Sequence, residues 1–197
     1  MNSLWVIGIV MAAGLDAQTA GCNVYVDVNN GAEIPFGVLF NAMSRAARMF
    51  GEIGVNVRMR DGAPKHAPED ACVAPIVLEI EDAPWYRGSA EALAYATPYA
   101  QSGTRIHILA DRIRRAYEDR SSGFQEALLA HVMAHEITHV LEGVVRHSDF
   151  GVTKAMWRDA DYREMQRHPL PFAPEDVTLI HDGLARHAAT QISRLAH

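Results

Sequence analysis

From Asn23 the chain alternates, with Val24, Val26 and Val28 on one face and Tyr25 and Asp27 on the other, the period of a half-buried strand that Asn29-Asn30-Gly31 ends. Between about Pro35 and Ile53 the spacing becomes helical, through Leu39, Ala42, Met43, Ala46, Met49, Phe50 and Ile53, with Pro35 suited to the first turn and Gly54 to the stop. Val55, Val57 and Met59 against Asn56, Arg58 and Arg60 predict a second strand, and a polar, proline-bearing loop fills residues 61–70. Ile76–Ile80 and Thr104–Leu109 predict two more strands. Between them, Tyr95–Gln101 contains Pro98, which removes a ladder donor and places this piece at a sheet edge.

Ser122-x-x-Gln125 resembles a capping box, and it opens a predicted helix that runs to Glu142 before Gly143. His131, His135 and His139 share one stripe with Phe124 and Leu128. Ala130, Ile137 and Leu141 lie opposite, and Leu129, Met133 and Val140 form a third side. A helix apolar nearly all round belongs at the centre of a domain, which argues against these histidines being mere surface residues. A loop and a mixed region over 154–172 follow. Ala173-Pro174-Glu175-Asp176 then begins a last helix, acidic in its first turn where the dipole favours it, that runs to about Arg194.

Composition narrows the class. The 197 residues favour one domain with a real core, and 49% hydrophobic with 21% charged residues describes a globular chain. The net charge of −6 argues against nucleic acid as the main partner. Arg112, Arg114 and Arg115 are diluted at once by Glu118 and Asp119, which reads as a solvated face. Residues 4–15 are almost uninterruptedly apolar, too short to cross a bilayer and about right for a signal-peptide core. Small and polar residues at 16–21 follow, with cleavage sites after Ala17 or Ala20. No Lys or Arg precedes the run, so a buried first element is the competing reading, and Thr19-Ala20-Gly21-Cys22 offers a weak lipoprotein signal. The expected organisation is a signal-like segment at 1–21 and one domain at 22–197, secreted or periplasmic, with no stable membrane insertion after signal removal. The two cysteines, Cys22 and Cys72, would pair in an oxidising compartment.

The chemistry concentrates at His135-Glu136-Ile137-Thr138-His139. Histidines four apart on a helix face the same way one turn apart, so both imidazoles can reach one ion. Zinc accepts neutral imidazole and keeps a position for water when three protein ligands bind. Glu136 lies about 100° around the helix from His135, where it can act on that water as a base rather than as a ligand. Core histidines satisfied by hydrogen bonds are the bland alternative.

The stretch from His135 through Gly143 to His147 resembles the zinc-binding segment of the metzincin metallopeptidases, whose pattern is HExxHxxGxxH followed by a methionine turn. Glycine falls one residue late, at Gly143 rather than Glu142, and the third histidine two residues late, at His147 rather than Val145. Ser148 follows where archaemetzincins continue with cysteine. The resemblance implies His135, His139 and His147 as zinc ligands, Glu136 as general base, Met156 or Met165 in the methionine turn, and a peptide or protein substrate. It also implies an α/β (α+β) fold: a mixed twisted sheet with an antiparallel edge strand, a backing helix, a central zinc-binding helix and a C-terminal helix. Tyr162 would be an oxyanion group, a switchable ligand or a packing tyrosine, and Arg146 a partner for a nearby carboxylate or a solvated charge. Two rival functions stay open. One is a catalytically idle zinc-containing binding domain, and the other a zinc hydrolase whose third ligand is Asp159 or Glu164. His131, His168, His181 and His187 are expected to stay off the metal.

Overall fold

A computed structural model describes residues 23–63, 65–89, 92–100, 103–117 and 123–195. Five strands form one sheet: β1 (Asn23–Asn30), β2 (Asn56–Asp61), β3 (Ile76–Glu81), β4 (Ala94–Ala100) and β5 (Gly103–Leu109), in the spatial order β2-β1-β3-β5-β4. Every pairing is parallel except that of β4 with β5, so the outermost strand on that side is the antiparallel one. Period two puts Val24, Val26 and Val28 into the core with no exposed surface. On the other face Asp27 is closed off by the guanidinium of Arg60 at 2.6 Å.

Helix α1 (Phe36–Glu52) follows β1 and buries Leu39, Ala42, Met43, Ala46, Met49 and Phe50, the stripe its spacing predicts. Gly54, at φ 77°, takes the left-handed conformation that follows the helix. Pro35 stands at the N-cap, one residue outside the first turn. After β5 a short α2 (Ala110–Tyr117) holds the arginine cluster, and its charges are paired. Arg115 meets Asp111 at 3.0 Å, Arg114 meets Asp82, and Arg112 donates to the Ala92 carbonyl at 2.8 Å. That last bond ties down the segment leading into β4.

Helix α3 (Phe124–Glu142) lies at the centre, packed between α1 and α5 (Pro174–Leu195), with α4 (Asp159–Arg167) across it. Its start corrects the capping-box expectation. Gly123, at φ 90°, is the N-cap and no side chain caps the helix, because the chain enters from a left-handed conformation that glycine adopts without strain. The approach of α3 and α5 is close: a Cβ on Gly183 would lie 1.8 Å from the Leu141 carbonyl oxygen. Segment 1–21, Cys22, Ser122 and Gln101 lie outside the described residues. No helix among the described residues is long and apolar enough to cross a membrane.

Candidate metal centre

His135 and His139 leave α3 one turn apart and aim their Nε2 atoms at each other, 3.0 Å apart. The His135 Nδ1–H donates to the Val152 carbonyl at 2.8 Å, which fixes its tautomer and leaves Nε2 as a lone pair. Burial lowers the pKa of His135 to about 4, and burial with the neighbouring His135 and His147 rings lowers that of His139 to about 3. Both are therefore neutral at pH 7, the form a metal requires. Two nitrogens on one tetrahedral ion at about 2.0–2.1 Å would lie roughly 3.3 Å apart, close to the observed separation.

The third histidine arrives by a loop. Gly143 ends α3 at φ 71° and ψ 17° and turns the chain back. The Ser148 N–H then donates to the Thr153 carbonyl at 3.1 Å and the Val152 N–H to the Pro171 carbonyl at 3.0 Å. Gly151, at φ 81°, passes so near Pro171 that a Cβ would sit 2.2 Å from its carbonyl oxygen. The result carries the His147 ring to 5.3 Å from that of His135 and 5.0 Å from that of His139. One ligand-competent atom from each of the three lies within 4.8 Å of the others. Val145, at the position the metzincin spacing would select, is 86% exposed. Asp159 and Glu164 are exposed and stand outside the cluster.

The cluster opens onto a cleft of about 580 Å³, walled by Val132 and Glu136 of α3, Leu93 and Ala94 where β4 begins, and Met156 and Trp157 after the loop. Burial raises the Glu136 carboxyl to about 7. Met156 is half-exposed on the cleft wall, whereas Met165 is fully buried in the core. Besides His139, the Trp157 ring packs edge-on against His135, at 5.5 Å, and its indole N–H donates to the Gly151 carbonyl at 3.2 Å. Tyr162 also lines the cleft and packs edge-on against Phe124 at 5.6 Å.

Behind the histidines lies a charged network. Arg146 pairs with Asp176 at 2.5 Å and with Glu175 at 2.7 Å, and stands 4.0 Å from Glu142. Burial pushes Asp176 up, but bonds from Thr153, Ser148, Arg146 and the Ala173 N–H outweigh it and hold the carboxyl below its usual value. Burial, followed by the Asp176 charge, raises Glu142 to about 7. His139 Nδ1 and both Glu142 carboxyl oxygens are buried without a hydrogen-bond partner among the described residues. The other described histidines stay out of the cluster. His131 donates from Nδ1 to the Ala127 carbonyl at 2.6 Å and accepts the Leu170 N–H at 2.9 Å, while His181 Nε2 donates to the Ile53 carbonyl at 2.8 Å.

No protein-family model matches the sequence, and no curated protein matches it. Solved structures do. Archaemetzincin from Methanopyrus kandleri aligns with a TM-score of 0.53 at 13% identity, over 87% of this chain and 99% of that one. A zinc-dependent peptidase from Methanocorpusculum labreanum aligns at 0.51 and 12% identity, over 79% of this chain and 99% of that one. The chain has the archaemetzincin fold. The mixed sheet, antiparallel edge strand, backing helix, central histidine helix and C-terminal helix are all in place.

Proposed function

We propose that this chain is an exported zinc-dependent endopeptidase in which His135, His139 and His147 hold the metal and Glu136 is the general base. The observation that carries this reading is the convergence of three imidazoles, two of them held neutral by burial, beside a carboxyl of raised pKa on an open cleft. The fold likeness to a protein described as a zinc-dependent peptidase supports it. When bound, zinc would supply Lewis acidity toward a carbonyl and toward water.

The chain's own groups do the rest. Glu136, raised to about 7 by burial in the metal-free site, would be drawn toward its ionised form beside a bound dication, and could then take a proton from water and return it to a leaving amine. Val152 holds His135 in the tautomer that leaves Nε2 for the metal. The outermost strand β4 begins at the cleft wall, so an extended peptide added along it would run past the histidines, reading backbone amides as endopeptidases do.

Reconstituted protein is expected to carry about one zinc per chain and to cleave members of a broad peptide library. Glu136→Gln should keep the metal and lose about 10²–10⁴-fold in activity. Absence of zinc by elemental analysis would end the reading. Zinc without any cleavage by the wild type would favour the idle binding domain, and an active Glu136→Gln would remove that residue from the chemistry.

Export rests on the apolar run at 4–15 and on the cysteines. The Cys72 N–H donates to the Asn23 carbonyl at 3.0 Å, which brings Cys72 beside the residue that follows Cys22 in the chain. Mass spectrometry of the protein from an oxidising compartment should find a mature start between Gln18 and Cys22 and a Cys22–Cys72 bond. An intact Met1 or two free thiols there would contradict this part.

A further inference from the structure

The loop that delivers His147 has one apolar anchor, the fully buried Val152 at its far end, whereas Val144, Val145 and Phe150 around the histidine are exposed. Polar contacts must fix the part that carries His147. Asp176, in the first turn of α5, is fully buried, and its carboxylate accepts from Arg146 at 2.5 Å and from Ser148 Oγ at 2.7 Å, the residues on either side of His147. It also accepts from Thr153 Oγ1 and from the Ala173 N–H at 3.2 Å. Thr153 is the residue after Val152, whose carbonyl orients the His135 ring. One carboxylate therefore grips the loop at both ends: around the third histidine, and beside the carbonyl that sets the first.

We infer that Asp176 is the positioning residue of the metal centre, holding His147 in place through Arg146 and Ser148 and orienting His135 through the Thr153–Val152 step. The inference deepens the proposed zinc site and rests on it. Asp176 touches neither the ion nor the substrate; its role is to make one loop conformation the stable one. A buried carboxylate suits this task because four donors converge on it, and the position of each is fixed by the others. The negative charge also lies behind imidazoles that would share a dication, where it would favour the loaded state.

Zinc affinity by chelator competition and the visible spectrum of the cobalt(II)-substituted protein would test it. Asp176→Asn keeps the size but loses the charge and part of the acceptor capacity. It should bind zinc roughly 10–100-fold more weakly, the cost typical of outer-shell partners. Its cobalt spectrum should move toward that of His147→Ala. Because Asp176 acts largely through His147, adding Asp176→Asn to His147→Ala should cost less than Asp176→Asn costs alone. If Asp176→Asn does not fold, Ser148→Ala, which removes a single bond, decides the matter by a smaller loss of affinity in the same direction. A wild type that binds zinc alongside an Asp176→Asn of equal affinity and unchanged cobalt spectrum would overturn this inference alone. Losses that multiply in the double variant would do the same. A wild type that binds no zinc would overturn the metal site itself, and the inference with it.

Discussion

His147 comes eight residues after His139, two more than the metzincin pattern allows, and it still reaches the cluster. Gly143 makes this possible, because its left-handed turn sends the chain back along α3 instead of away from it. His147→Ala is therefore expected to weaken zinc by more than the roughly 10–100-fold typical of an outer-shell loss. Asp159→Ala and Glu164→Ala should bind like the wild type. Titration of the three variants against one chelator decides between them, and retention of zinc by His147→Ala with loss in an acidic variant would reassign the third ligand. The helical pair and Glu136 are legible in the sequence because helix geometry turns a spacing of four into a shared face. His147 is legible through Gly143 and the reach of the chain. Val152 and Asp176 are not. Val152 acts through its carbonyl, which no side chain announces, and Asp176 looks like an ordinary first-turn acid until the loop folds over it.

Elements with a strong apolar period match what their sequences predict, and elements without one do not show in the pattern. The α1 stripe and the all-round apolar α3 announce themselves, and Pro98 marks β4 as the edge. By contrast α4 has a single buried hydrophobic, Met165, so its residues carry no periodic signal. Helix α2 is dominated by arginines: its Arg115–Asp111 pair is local, one turn apart, but the Arg114–Asp82 pair and the burial of Ile113 come only with the fold. Gly183 is a further case. A glycine inside a helix costs about 1 kcal/mol against alanine, and sequence alone offers no reason for it. The reason is the neighbouring helix: Leu141, whose carbonyl oxygen any Cβ would strike, precedes Glu142 at the end of the metal-bearing helix. That contact lets α5 approach closely enough for Asp176 to reach the loop and for Arg186 to donate to the Glu142 carbonyl at 3.0 Å.

Along α3, burial drives titratable groups of both kinds toward their neutral forms, whereas Asp176 is held charged by its donors. His131 and His135 fall to about 4 and His139 to about 3, while Glu136 and Glu142 rise to about 7. In the metal-free protein these act on stability with opposite signs. As pH falls below 6.5 the unfolded chain protonates histidines that the native state keeps neutral, so the folded form loses ground down to about pH 4. The glutamates do the reverse. The native state keeps their protons up to about 7, whereas the unfolded chain releases them above 4.5, so stability returns as pH falls across that window. With three histidines against two glutamates, the fold should lose stability on acidification, by less than the histidines alone would cost. His131 can be isolated from this balance because it stands apart from the cluster, with both ring nitrogens bonded to backbone. His131→Gln keeps one donor and one acceptor but cannot take a proton. The gap between 6.5 and about 4 corresponds to about 3 kcal/mol that the wild type loses on acidification and the variant does not. Urea unfolding of both proteins in a chelator, at pH 7 and pH 4, should show the wild type losing more by about that amount. Parallel pH profiles for the two would mean that His131 already carries a proton in the fold, contrary to its burial and its bond from Leu170.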